Sequence, residues 1–399
     1  DTLRQDAVAT LGRLPGESGV AISHAAIAVS GRKTAMVSIL LTVGLMSLPQ
    51  PPVCAQPGDT PLANPVVVIA HRGASALRPE HTLAAYAQAI ADGADYIEPD
   101  LVITRDGVLV ARHESEISRT TDVAARKEFA DRRRRQVIDG TPVEGWFTED
   151  FTLAELKTLR TQERFPVLRS TAHDGLYPIA TLDEVIALAA SESARVGRTI
   201  GLIPEIKHPT HFQRLGLAME DRVLERLAAH PYTRTAPVVI QSFEVGNLRY
   251  LHERLAGRPN IRLLQLLGAP GKCPVDQVEA SGCRLSYGQM MTPAGLQAVA
   301  EYAQVLGPPS RAVIPVTAEG ALGTPTSLVR DAHAVGLQVQ PYTFRPENHF
   351  LPPALWRGGD PRTVNPDGSI AEIRAYLVAG IDGFFTDNPA HGRKAVDDR

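Results

Sequence analysis

Glu98 and Asp100 stand two residues apart in the segment Ala94-Asp-Tyr-Ile-Glu-Pro-Asp-Leu101. On an extended strand, that spacing sends both side chains from the same face. Two carboxylates held so close repel unless a cation or a proton lies between them. Glu205, in Pro204-Glu-Ile-Lys207, stands near the end of another apolar run and offers a third acid. Hard oxygen donors with no thiolate nearby suit Ca2+ or Mg2+ better than zinc. The plainer alternatives are surface acids for the pair and an ordinary salt bridge to Lys207 for Glu205. His71 and Arg72 close the first apolar run and Gly73 follows. A guanidinium suits phosphate oxygens, and a glycine there is expected to let a ligand approach the backbone. His113 ends a later run. Singly, a strand-end histidine is more often structural, but two can divide general base and general acid near neutral pH.

The elements that would position these groups recur along the chain. Strand-like apolar runs cover Val66–Ala70, Ala94–Leu101, Val108–His113, Gly201–Lys207, Pro237–Phe243, Ile261–Leu267, Ala312–Val316, Leu337–Tyr342 and Gly383–Asp387. Helical patterns separate most of them: His81–Ala91 ending at Gly93, Leu182–Ala194 after a Thr181 cap, and amphipathic Met219–Ala229. This alternation predicts a parallel sheet with helical crossovers. Nine runs are one too many for an eight-stranded barrel. Thr104-Arg-Asp-Gly107 resolves the excess, since Asp-Gly is a hairpin turn that folds Val108–His113 back beside the second strand. The expected fold is an α/β (β/α)8 barrel, a TIM barrel, over residues 66–393. A charged insertion at about 114–180 is expected to pack over one end, and 394–399 form a tail. Strand C-termini converge at the mouth of such a barrel, where the acids and histidines would meet.

Of 399 residues, 44% are hydrophobic, enough for a substantial core. The net charge of −3 gives no reason to expect a nucleic-acid binder, which needs a clustered positive surface. Arg132 to Arg135 lie among Glu128, Asp131 and Asp139 and read as a solvated face. Arg32 and Lys33 precede the apolar run Ala35–Leu48, followed by prolines and Val53-Cys-Ala55. Residues 1–55 are therefore expected to be an upstream segment and a secretory signal peptide cleaved after Ala55, with a linker at 56–65. That places the protein in the periplasm or outside the cell, with no stable membrane insertion after cleavage. Cys273 and Cys283 then pair as a disulfide or remain as two thiols.

Ala70-His-Arg-Gly-Ala74, Pro79-Glu-His-Thr-Leu83, Gly93–Asp100, Thr104–Gly107 and His113, in that order, resemble the glycerophosphodiester phosphodiesterases. Arg119-Thr-Thr-Asp122, Pro204–Lys207, Gln241-Ser-Phe243, Pro341-Tyr-Thr343 and Phe385-Thr-Asp-Asn-Pro389 extend the likeness over about Val66 to Ala390. It is strongest to the bacterial periplasmic type. The resemblance implies metal-dependent hydrolysis of small glycerophosphodiesters to glycerol 3-phosphate and an alcohol. It makes His71 and His113 the acid/base pair, and Glu98, Asp100 and Glu205 ligands of a divalent ion, Ca2+ ahead of Mg2+. Arg72 and Lys207 would hold phosphate oxygens, with Glu80 in support and Gln241 and Tyr342 lining the substrate site. It also implies that the glycerol 2-hydroxyl attacks first, giving a cyclic phosphate that water opens. Two departures stand out: His113-Glu114 replaces the family's His-Asp, and Tyr342 occupies a position where Trp is common. The alternatives are a related barrel phosphodiesterase acting on lysophospholipids and a non-catalytic binding protein on the same fold.

Overall fold

Alternation along the strands decides which residues reach the middle of the sheet. In β1 (Val67–His71), Ile69 and His71 share a face, and Ile69 is fully buried. Ile69 joins Ile203, Val239, Leu264, Leu266, Val305 and Phe385 in one apolar cluster, with Tyr96, Phe243 and Tyr342 packed against it. Full burial of such side chains is worth about 1.5–3 kcal/mol each, which anchors strands whose far ends carry buried charge. A larger cluster lies between the strands and the surrounding helices, drawing on the opposite faces through Val68, Ala70, Ile97, Leu101 and Phe384.

The structure, a computed structural model, describes residues 66–398. The signal-peptide and linker expectations for residues 1–65 fall outside these residues. The strands after β1 are β2 (Tyr96–Glu98), β3 (Asp100–Ile103), β4 (Leu109–Ala111), β5 (Arg134–Ile138), β6 (Thr141–Gly145), β7 (Gly201–Leu202) and β8 (Glu205–Ile206). Then come β9 (Val238–Ser242), β10 (Ile261–Leu266), β11 (Val278–Glu279), β12 (Gly282–Cys283), β13 (Val305–Gly307), β14 (Gln338–Val339) and β15 (Gly383–Thr386). The main sheet runs β14-β13-β10-β9-β7-β2-β1-β15. Its ends meet: Asp382 N donates to Val339 O, Phe385 N to Pro341 O, and Phe344 bridges Thr386 in parallel. Pro99 and the Ile203-Pro204 step, each lacking a proline N–H, divide two strands into β2/β3 and β7/β8. The ladder continues across both breaks, with Ile203 N donating to Ile97 O and Glu205 N to Pro99 O. Eight parallel positions therefore close a (β/α)8 barrel, as expected.

The hairpin reading holds. β4 pairs antiparallel with β3, Ile103 opposite Leu109. Helix Leu83–Ala91 is capped by Thr82, and helix Leu182–Val196 has a capping box formed by Thr181 and Glu184. The run Ala312–Val316 is a correction, since Ser310–Val313 is a helical turn and the strand is β13, seven residues earlier. Pro308-Pro309 ends that strand and opens the turn, so Val313 and Ile314 are buried from a helix instead of a ladder. Residues 114–180 add no strand to the barrel; β5 and β6 form their own antiparallel pair. The basic run is paired internally, Arg132 with Glu155 and Arg134 with Asp150. Cys273 and Cys283 are joined by a disulfide across the β11–β12 turn, with Cα atoms 6.0 Å apart.

Candidate active site

Register turns separate strand ends into neighbours. β1 against β2 sets His71 beside Glu98, β3 against β8 sets Asp100 beside Glu205, and β8 against β9 sets Glu205 beside Gln241. One carboxylate oxygen from each of Glu98, Asp100 and Glu205 lies within 4.8 Å of the others. All three residues are buried. Such a trio can hold a metal ion.

Each acid has a distinct set of partners. Glu98 accepts from the Arg72 backbone N (2.8 Å) and from Gln241 Nε2 (2.9 Å). Arg72 makes that contact from a left-handed backbone, φ 59°. Asp100 Oδ2 accepts from His81 Nε2 at 2.9 Å and lies 3.3 Å from Arg72 Nε. Its other oxygen, Oδ1, is buried without a hydrogen-bond partner. Glu205 pairs with Lys207 Nζ at 2.8 Å. Burial and the neighbouring Asp100 push Glu98 well above the ordinary carboxylate range and Glu205 up to about 8. Against the cost of its own burial, Lys207 and His81 hold Asp100 low. The trio is thus short of positive charge, a demand that a divalent cation meets.

The two imidazoles flank this cluster with matching arrangements. His71 Nδ1 meets Asp387 Oδ1 at 2.6 Å, and His113 Nδ1 meets Glu114 Oε1 at 2.6 Å. In both, a carboxylate occupies one nitrogen and leaves Nε2. Burial, reinforced by Arg72, pulls His71 down to about 3 and His113 well below its ordinary value, so both stand neutral near pH 7. Glu114, the departure from His-Asp, itself reaches the His113 ring.

The remaining expected residues are in place around the trio, in different engagements. Glu80 sits between Arg72 Nη1 (3.1 Å) and Arg164 (2.6 and 2.7 Å). Tyr342 donates its hydroxyl to Leu267 O (2.6 Å), and its ring packs edge-on to Phe243. Gly73 has a packing constraint of its own. Its φ is +88° and an added Cβ would come within 2.7 Å of the Ala85 backbone. The glycine therefore serves close packing of helix Leu83–Ala91 on the strand end. Sequence reasoning missed Asp387, His81, Arg164, Arg169 and Arg345. Asp387 carried a usable signal: it is two residues past the inward-facing Phe385.

The comparisons with known proteins agree. Residues 71–391 match the model of the glycerophosphoryl diester phosphodiesterase family. Glycerophosphodiester phosphodiesterase GDPD6 of Arabidopsis thaliana is 36% identical over 332 residues, 80% of this chain and 82% of that protein. A glycerophosphodiester phosphodiesterase of Haemophilus influenzae is 28% identical over 72% of this chain and 81% of its own length. Among solved structures, a family member described as putative from Silicibacter pomeroyi superposes with a TM-score of 0.58 at 23% identity, covering 84% of this chain and 94% of that one. An Oleispira antarctica phosphodiesterase in complex with the product sn-glycerol-3-phosphate gives 0.53 at 20%, covering 83% and 96%. With its barrel and its ordered site residues inside the matched span, the chain belongs to the glycerophosphoryl diester phosphodiesterase family and is a glycerophosphodiester phosphodiesterase.

Proposed function

We propose that this enzyme hydrolyses small glycerophosphodiesters to glycerol 3-phosphate and an alcohol by proton transfer through His71 and His113, with a divalent cation, Ca2+ ahead of Mg2+, at Glu98, Asp100 and Glu205. The observation that carries the reading is Asp100 Oδ1: buried, without a hydrogen-bond partner, and within a trio of carboxylates that Lys207 and Arg72 leave short of positive charge. A carboxylate oxygen in that state fits a cation ligand and is costly otherwise. When bound, the ion would supply Lewis-acid stabilisation of the phosphoryl charge.

The chain's own groups account for the rest. Arg72 spends Nη1 on Glu80 and sets Nε 3.3 Å from Asp100 Oδ2 as an ion pair without a hydrogen bond, which leaves Nη2 for a phosphate oxygen. Lys207 places a second cation beside the acids. A histidine whose Nδ1–H is held by a carboxylate presents Nε2 as a proton acceptor, and the same carboxylate stabilises the imidazolium that forms. One histidine takes the proton of the attacking oxygen as the new P–O bond forms. The other enters the step as imidazolium, protonated at Nε2 between the bound anionic diester and the carboxylate on its Nδ1, and gives that proton to the departing alcohol as the old bond breaks. The product-bound Oleispira relative, on the same fold, supports glycerol 3-phosphate as the product class.

The test is chelation and metal add-back on purified protein. Glycerol 3-phosphate release is followed from glycerophosphocholine, glycerophosphoethanolamine and a lysophospholipid. Loss on chelation, with recovery by Ca2+ and faster turnover of the two small diesters, is the expected result. Full activity after exhaustive chelation would sink the cation assignment, and faster lysophospholipid turnover would sink the substrate class.

The same proposal includes the bacterial periplasmic type and a periplasmic or secreted location. The apolar run after Arg32 and Lys33 supports it, as does the Cys273–Cys283 disulfide, a bond that persists in oxidising compartments. Among the described residues, no helix is long and apolar enough to cross a membrane. A mature N-terminus at Gln56 in a periplasmic or culture fraction is expected; a cytosolic chain retaining residues 1–55 would refute it.

A further inference from the structure

We propose that Arg164 and Arg169, five residues apart in one short segment, are positioning residues that aim the two histidines through Glu114 and Asp387. This inference rests on the acid/base roles proposed above. Arg164 grips Glu114 with both terminal nitrogens, Nη1 to Oε1 at 2.9 Å and Nη2 to Oε2 at 2.7 Å. Glu114 holds His113 Nδ1. Arg169 Nη2 binds Asp387 Oδ2 at 2.6 Å, while Asp387 Oδ1 holds His71 Nδ1. The two chains have the same plan: guanidinium, carboxylate, imidazole.

Neither arginine is a solvated surface charge. Arg164 and Arg169 are buried, and each serves a second carboxylate, Glu80 for Arg164 and Glu347 for Arg169. Arg164 thereby ties His113 to Arg72, because Glu80 also accepts from Arg72 Nη1. Arg169 is bound a second way to the strand end of His71: it donates to Ser75 O, and Ser75 Oγ donates to His71 O. The segment is braced so that both can reach. Leu168 N and Arg169 N both donate to Phe165 O, and the Arg169 guanidinium lies 5.2 Å from the Phe165 ring centroid. Phe165 packs edge-on to Phe350, and Arg345, which also binds Asp387, lies over Phe350. The geometry of a planar fork spanning two carboxylates cannot be reproduced by an ammonium point charge.

The test compares Arg164→Lys, Arg169→Lys, Glu114→Gln and the double variant Arg164→Lys/Glu114→Gln in the metal-loaded enzyme. Each arginine variant is expected to lose about 10- to 100-fold in kcat. KM should move less than about 3-fold, because the loss falls on proton transfer and not on binding. The double variant should lose little more than the worse single variant, since both changes cut the same chain. Wild-type kcat in both arginine variants, or fully additive losses in the double variant, would overturn the inference. Should Arg164→Lys fail to fold, Glu114→Gln and Asp387→Asn carry the same kcat-against-KM test while leaving each arginine its second carboxylate. Arg135→Lys, an exposed change in the neighbouring hairpin, should leave turnover unaltered. His71→Ala and His113→Ala separate the two levels. Full turnover in these overturns the acid/base reading itself, whereas inactive histidine variants beside unimpaired arginine variants overturn only the positioning role.

Discussion

The barrel strand ends and the segment around Arg164–Arg169 meet at the same site by opposite routes. On the strands, neighbours are set by the ladder: Asp100 faces Glu205 because β3 and β8 pair in that register, and the three acids follow from period-two alternation. The arriving segment has no ladder to the barrel. Its arginines reach partners 50, 84 and 218 residues away through side chains alone. Strand ends give chemical groups a fixed origin and leave their orientation open; the long ion pairs supply the orientation. One region holds the reacting groups, and the other holds those groups still.

The strongest way to break this division is to remove the imidazoles. His71→Ala and His113→Ala should each cut kcat by about 10²- to 10⁴-fold, measured as glycerol 3-phosphate release under saturating metal. If His113→Ala, whose ring follows β4 instead of closing a parallel strand, kept full turnover, chemistry would belong to one strand end alone. Next in size is Asp100→Asn, expected at about 10²- to 10³-fold. It removes the charge from a carboxylate oxygen buried without a hydrogen-bond partner and leaves Glu98 and Glu205 to bind more weakly. Raising the metal concentration should therefore recover part of the loss, and a defect indifferent to metal would mean that Asp100 acts only through His81 and Arg72.

The same division explains what could be read from the chain. Glu98, Asp100 and Glu205 were legible because strand periodicity and barrel convergence are local rules applied to local patterns. The β3–β4 hairpin was legible from Asp106-Gly107 and the helix start at Leu182 from its Thr181 cap, whereas the first helix, expected from His81, begins at Leu83 behind a Thr82 cap. The run at Ala312–Val316 misled because a short apolar stretch is the same for a strand and a buried helical turn; the prolines at 308 and 309 held the answer. The packing constraint on Gly73 was not legible, because it comes from Ala85, a helix away. Arg164 and Arg169 had no signal at all. Nothing periodic links position 164 to 80 or 169 to 387, and among several arginines in a charged stretch these two differ only in being buried.

Glu163 sharpens the comparison with a smaller effect. It is buried beside both arginines, accepts from Phe165 N, and burial pushes its carboxyl up to about 7, with Glu80 and Asp387 adding to the rise. The folded state then holds this proton more tightly than the unfolded chain does. Stability contributed by the neutral form is present below about pH 4.5 and is lost as pH rises through about 7. The cost above that window is about 3 kcal/mol from a shift of this size. Glu163→Gln keeps the acceptor and removes the titration. It should match the native protein near pH 4 and exceed it in Tm at pH 8, with turnover little changed. Equal Tm at pH 8 would mean that Arg169 already neutralises the ionised form.

The smallest expected effect on catalysis comes from the other loop region at the barrel, the disulfide-closed turn of β11 and β12. Asp276 caps the helix Val245–Arg254 through the N–H groups of Val245 and Gly246, and Gln277 holds Arg284. None of these contacts leads to His71 or His113. Cross-linking Cys273 to Cys283 restricts the unfolded chain, a stabilisation of about 3 kcal/mol for so short a loop. Cys273→Ser should lower Tm while turnover per folded molecule stays at the native value. Had the loop a positioning role like that of Arg164 and Arg169, kcat would fall with Tm. A drop in kcat at temperatures where the variant is fully folded would therefore place this loop beside the arginine segment and remove the contrast between them.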